Sequence, residues 1–215
     1  MKQNPLDHFF TYLQTRLEKS LPGKDAQFKM APLPEKPEDY YLNPPEDSRP
    51  SSILIPLFLN QSNEISIILT LRPEHLAHGG QISFPGGGIE NGETARQAAI
   101  RETMEEIGVR KEDIDVAGKL TPLYLRRTNN FIEPFAGKLT TQPDLTITNR
   151  EVDEVIPVAI NSLLNGDNIK REPWTLSNGA KMEVPYWTIH NVPLWGATAM
   201  MLNELLELYA EYLES

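Results

Sequence analysis

The chain has 215 residues, enough for one domain with a sizeable core and tight for two. Its 20 Lys and Arg against 30 Asp and Glu give a net charge of -10, which disfavours general nucleic-acid binding, where a basic surface supplies most of the affinity. With no cysteine, disulfides, thiolate metal ligands and a cysteine nucleophile are excluded.

In chain order, Asn4-Pro5 reads as the cap and first turn of a helix. Its apolar residues Leu6, Phe10, Leu13, Leu17 and Leu21 recur at helical spacing until Pro22-Gly23. The residues before it lack the apolar segment of a signal peptide, and the longest apolar run, 53–59, is too short to cross a bilayer; a cytoplasmic protein without membrane contact is expected. Eight prolines between residues 22 and 56 predict a segment running extended over the surface. Phe28, Met30, Leu33, Tyr40, Tyr41 and Leu42 are too apolar for a free linker. Residues 1–50 are therefore expected as a helix and Pro-rich extension packed on a main domain of residues 51–215.

Residues 52–59 and 65–71 read as a hairpin turned by Asn60-Gln61-Ser62-Asn63-Glu64, with a short strand at 81–84. Apolar segments follow at 116–125, 131–139 and 151–159, then a short helix at 161–165 and strands at 169–176 and 182–189. Trp195, Ala199, Leu202, Leu205, Leu206, Tyr209 and Leu213 recur at the spacing of a long amphipathic helix. Helices interrupting a mixed set of strands argue for an α/β (α+β) architecture, a mixed sheet sandwiched between helices.

The chemistry concentrates between residues 86 and 109. Gly86-Gly87-Gly88 predicts a loop free to take positive φ and to approach a phosphate closely. Asn91-Gly92-Glu93-Thr94 reads as a turn into a helix. On that helix Glu105 and Glu106 fall within roughly 60° of Glu102, and Gly108 caps its end. Three glutamates on a helix face are commonly a solvated stripe. As ligands, their all-oxygen set would suit a hard divalent ion, Mg2+ or Mn2+. Thr103 lies opposite them with Ala99, Ile100 and Ile107, where its hydroxyl can bond back to a carbonyl one turn earlier.

The whole string resembles the Nudix box, which runs Gly, five residues, Glu, seven residues, Arg-Glu-apolar-any-Glu-Glu-any-Gly-apolar. Thr103 occupies the first apolar slot and is the one departure. Seven fixed positions match by chance about once in 10^8 windows. The resemblance implies the Nudix fold from about residue 51 onward. It also implies that Glu93 and Arg101 brace loop and helix, and that Glu102, Glu105 and Glu106 hold the metal. Nudix enzymes split a nucleoside diphosphate linked to another group.

Upstream, Leu69-Thr70-Leu71-Arg72, then His75-Leu76-Ala77-His78 and Gly80-Gln81-Ile82-Ser83-Phe84-Pro85-Gly86-Gly87 resemble the segment of the coenzyme A pyrophosphatase branch. The chain is one residue shorter there and lacks the branch's second arginine. Asn130-Phe131-Ile132-Glu133-Pro134-Phe135-Ala136-Gly137 and Leu194-Trp195-Gly196-Ala197-Thr198-Ala199 resemble further parts of that branch, although the latter also suits a helix start packed on the sheet.

The resemblance implies a metal-dependent pyrophosphohydrolase that cleaves coenzyme A or a derivative to adenosine 3',5'-bisphosphate and 4'-phosphopantetheine. Arg72, Gly86, Gly87, Arg126 and Arg127 are the candidate substrate-binding residues, with His75 and His78 as further cations. Loss of the second arginine implies weaker recognition of the 3'-phosphate or a replacement, Arg126 or Arg127. A glutamate of the box, Glu151 or Glu154 would accept the proton of the attacking water. A hydrolase of ADP-ribose, dinucleotides or nucleotide sugars is the same-class alternative, and a noncatalytic nucleotide-binding domain the other. Homodimerisation is left open.

Overall fold

The computed structural model describes residues 4–33, 44–76, 79–146, 150–164, 166–175, 179 and 181–215. Tyr40, Tyr41, Leu42, His78 and Asn165, and the last residue of the strand expected at 169–176, lie outside the described residues. The strands are β1 (Arg49–Leu59), β2 (Ile65–Leu71), β3 (Ile82–Ser83), β4 (Gly86–Gly88), β5 (Ile114–Lys119), β6 (Leu123–Leu125), β7 (Asn130–Leu139), β8 (Glu154–Ala159), β9 (Ile169–Thr175) and β10 (Lys181–Trp187). The helices are α1 (Pro5–Arg16), α2 (Gly23–Phe28), α3 (Ala95–Ile107), α4 (Ile160–Leu164) and α5 (Gly196–Glu214).

β1 and β2 form the hairpin, with Leu59 opposite Ile65. Asn60 closes the turn by accepting from the N–H groups of Ser62 and Glu64. β7 lies parallel to β1, while β2 and β4 pair antiparallel with β1, β3 and β8 with β2, and β5 and β6 with β7. Together these strands make one mixed eight-stranded sheet; β9 and β10 form a separate hairpin.

Alternation along β1 divides the core between the two sheet faces. Ile53, Ile55 and Leu57 join a cluster with Leu6, Phe9 and Leu13 of α1 and Leu202, Leu205 and Tyr209 of α5. Leu54 and Phe58 join the other, with Ala99, Ile100 and Ile107 of α3. Burying a side chain of this size stabilises the fold by about 1.5–3 kcal/mol, so both helix layers are bound mainly by apolar contact. Met30 and Ala31 belong to the first cluster as well, which makes the N-terminal segment part of the core it covers.

Three local expectations are corrected. The first helix ends at Arg16, and where an extended run was expected α2 forms, with Pro22 at its cap position, where a missing N–H costs no helical bond. The apolar run 116–125 is two strands, because the chain leaves the ladder at residues 120–122, where Pro122 has no N–H to donate. Gly86–Gly88 is a strand, not a loop.

Candidate active site

Thr94 caps α3 with a full capping box: its side chain accepts from the Gln97 N–H while the Gln97 side chain accepts from the Thr94 N–H. Gly108 ends the helix at φ 69, its N–H bonded to Met104 O. Thr103 is buried and donates to Ala99 O at 2.7 Å, which satisfies its hydroxyl within the helix. One face of α3 is thereby fixed to the core, and the opposite face presents the carboxylates.

Arg101 organises them. Its Nε and Nη2 donate to the two oxygens of Glu93, each at 3.0 Å. Nη2 also reaches Gly88 O at 3.0 Å, while Nη1 reaches Glu102 at 2.8 Å and Glu105 at 3.2 Å. One planar fork therefore ties the turn before α3, the end of β4 and two helix carboxylates together. The hydrogen bonds from Arg101 hold the Glu93 carboxyl below its ordinary range.

Glu102 and Glu106, one turn apart, converge with Glu151 from the loop before β8, offering oxygens that all lie within 4.8 Å of one another. Burial, then the neighbouring charges of Glu102 and Glu151 opposed by Arg72, pushes the Glu106 carboxyl up to about 8. Burial raises Glu102 as well, against the hydrogen bond from Arg101. Glu106 is 1% exposed, accepts from the Gly86 N–H and faces Arg72 Nη1 at 3.8 Å. Glu105 stands outside this group; its side chain is 60% exposed beside Arg101. Of the two later glutamates, Glu151 enters the cluster and Glu154 pairs instead with His190 at 3.3 Å.

The glycines act by closeness. None of Gly86, Gly87 and Gly88 has positive φ, contrary to the flexible loop expected. A Cβ on Gly86 would meet Ser52 O at 2.5 Å, and one on Gly87 would meet Glu102 Oε1 at 2.3 Å. β4 therefore lies against both β1 and the carboxylate face, and neither surface leaves room for a side chain.

Beside β4 opens a cavity of about 880 Å³. Arg72, Gly86 and Gly87 line it, as do Arg126 and Arg127 from the tight turn between β6 and β7. Leu125, Ile132, Met182, Trp195, Ala197 and Met201 form its apolar wall. His75 is not among the described lining residues.

The NUDIX domain family model matches residues 48–175. The chain belongs to the Nudix family. A relative from Caenorhabditis elegans, Nudix hydrolase 3, is 30% identical over 208 residues, covering 86% of this chain and 85% of its own. The mouse protein named mitochondrial coenzyme A diphosphatase NUDT8 is 31% identical over 170 residues, covering 76% of this chain and 80% of its own. Among solved structures, the Nudix hydrolase RenU of M. smegmatis superposes with a TM-score of 0.51 at 15% identity, covering 76% of this chain and 87% of its own. That likeness supports the fold: the mixed sheet between helices is the Nudix architecture.

As a Nudix hydrolase the chain is an enzyme of a family that generally uses divalent metal ions, and its carboxylates fit such an ion. Oxygen donors from the buried Glu106, the half-buried Glu102 and the exposed Glu151 converge from two elements within one coordination sphere's reach. Burial is the main cause that raises Glu106, and the charges of Glu102 and Glu151 that add to it are charges a cation would neutralise. Sequence reasoning missed Arg49, which also lines the cavity. It belongs to no motif, and only the parallel pairing of β1 with β7 brings it beside Arg126 and Arg127. No helix among the described residues is long and apolar enough to cross a membrane.

Proposed function

We propose that this Nudix hydrolase is a divalent-metal-dependent pyrophosphohydrolase that cleaves coenzyme A or a derivative to adenosine 3',5'-bisphosphate and a 4'-phosphopantetheine product. The observation that carries the reading is the meeting of the Glu102–Glu106–Glu151 cluster with a cavity whose charged lining residues, among those described, are all arginine. A polyphosphate with a long uncharged arm needs both that cation-rich wall and the apolar one opposite. The name of the mouse relative supports the same substrate class.

Glu102 and Glu106 would hold Mg2+ or Mn2+, with Glu105 or Glu151 completing the protein's share. The ion, when bound, supplies charge neutralisation on the pyrophosphate and a water of lowered pKa. Arg72, 3.8 Å from Glu106, would hold a phosphate oxygen beside the cluster. Arg101 and Glu93 keep the helix and β4 in register, so that Gly86 and Gly87 present backbone to the anhydride. Where Glu105 completes the ligand set, Glu151, carried on the loop before β8, would take the proton of the attacking water.

The test is kcat/KM over coenzyme A, an acyl-coenzyme A, ADP-ribose and NADH, each with Mg2+ and with Mn2+. The coenzyme A compounds are expected to lead. ADP-ribose or NADH at the head of the panel would overturn the substrate and leave the hydrolase class intact.

A further inference from the structure

We propose that Arg49, Arg126 and Arg127 form a second anion subsite in this cavity, one that takes a phosphate monoester on the ribose and not the anhydride being cleaved. The inference deepens the substrate reading above and rests on it.

The three guanidinium groups come from two segments that are tied together. Arg49 opens β1 opposite Asn130, the first residue of β7. Its N–H donates to Asn129 O at 2.8 Å and its Nη2 to Thr128 O at 2.5 Å. Asn129 sits at φ 50 and is held on both sides, accepting from the Tyr124 hydroxyl at 2.9 Å and donating to Asp47 O at 3.1 Å. Arg126 and Arg127 stand on the turn that Asn129 closes, and Arg127 Nη2 touches Met182 Sδ at 3.3 Å. The Arg49 guanidinium and the turn that carries Arg126 and Arg127 are therefore positioned by hydrogen bonds before any ligand arrives, which lowers the ordering cost of binding.

Its position separates it from the reacting end. Glu102 lies against Gly87, and Gly87 faces Ser52 across the β1–β4 pairing. Arg49 is three residues further along β1, about 10 Å at the rise of an extended strand. Arg72 stands at the opposite station, beside Glu106. The cavity wall thus carries two cationic stations with an apolar wall between the flanking elements, and the described residues lining it include no aspartate or glutamate. In a chain of net charge -10, this is a local reversal of the overall field, suited to a ligand with two separated anionic groups. Exposed arginine forks match a terminal phosphate's oxygens in pairs, which a lysine could not do.

The experiment is calorimetric titration of the full chain, with Mg2+ present, by adenosine 3',5'-bisphosphate and by adenosine 5'-monophosphate. Wild type, Arg49→Gln and Arg127→Gln are compared after thermal melts. Wild type is expected to bind the bisphosphate on the order of 10-fold to 100-fold more tightly, the range of charge-assisted phosphate contacts, and the ratio should fall towards one in both variants. Should Arg49→Gln fail to fold, Arg127→Gln alone decides, since it leaves the β1–β7 bonds in place. A ratio near one in wild type, or an undiminished ratio in the folded variants, overturns the subsite. Coenzyme A turnover by the same wild-type sample separates the two readings. Turnover without bisphosphate preference removes the subsite and keeps the substrate; preference without turnover does the reverse.

Discussion

At the scale of single residues, the site is governed by how closely charge and backbone are brought together. Glu106 is almost wholly buried beside two other carboxylates, so Glu106→Gln removes a ligand charge while keeping the shape. Its kcat should fall by on the order of 10^2 or more with the fold intact; near-normal turnover would end the assignment of that residue. Gly87→Ala tests geometry instead of charge. Its Cβ would fall 2.3 Å from Glu102 Oε1, and a carboxylate can swing away more easily than backbone can, so activity should drop with little change in Tm. Gly86→Ala would press on Ser52 O at 2.5 Å, a backbone atom held in the sheet, and should lower stability by about 1–3 kcal/mol. If the two alanine variants showed the same balance of lost activity and lost stability, this division of roles would be wrong.

At the scale of elements, α3 is the part that carries its own instructions. Capping box, C-terminal glycine and back-bonded Thr103 are all contacts within a few residues, which is why the helix and its polar face can be read in the sequence, whereas the Glu93–Arg101 pair, eight residues apart, rested on the resemblance to the Nudix box. Thr94→Ala removes the cap's hydroxyl from the Gln97 N–H and should cost about 1 kcal/mol in urea melts. Arg101→Lys should cost more in kcat than in stability, since an ammonium cannot span Glu93, Glu102 and Gly88 O at once; wild-type kinetics would make the arginine a bystander. Illegible elements depend on distant partners. β4 looked like a loop because three glycines carry no strand signal, and only β1 and Glu102 explain them. α2 looked extended because Pro22 and Pro32 bracket it, and its anchor, Glu204, lies 177 residues beyond Gln27. Arg49 had no motif at all.

At the scale of the molecule, the N-terminal segment and the last helix are joined through a buried charge. Glu204 accepts from Gly23 N, Gln27 Nε2 and the N–H and hydroxyl of Thr121. Burial nevertheless holds its carboxyl above the ordinary value of 4.5, against those hydrogen bonds. The folded state therefore binds this proton more tightly than the unfolded chain does. That contribution is complete below the unfolded pKa and is lost as pH rises through the folded one. As pH rises from about 4.5, wild type should lose stability relative to Glu204→Gln, whose side chain does not titrate; parallel profiles would contradict this. The same junction carries Pro32 to the cavity wall, so the extension shapes the space that the carboxylates serve. We propose that these parts make one metal-dependent machine for a coenzyme A pyrophosphate, and product analysis is the decisive measurement. Chromatography of coenzyme A incubated with the chain and Mg2+ should show adenosine 3',5'-bisphosphate and 4'-phosphopantetheine in equal amounts, abolished by chelator and by Glu106→Gln. Intact coenzyme A after incubation with Mg2+ and with Mn2+, from a sample that hydrolyses another nucleoside diphosphate derivative, would contradict it.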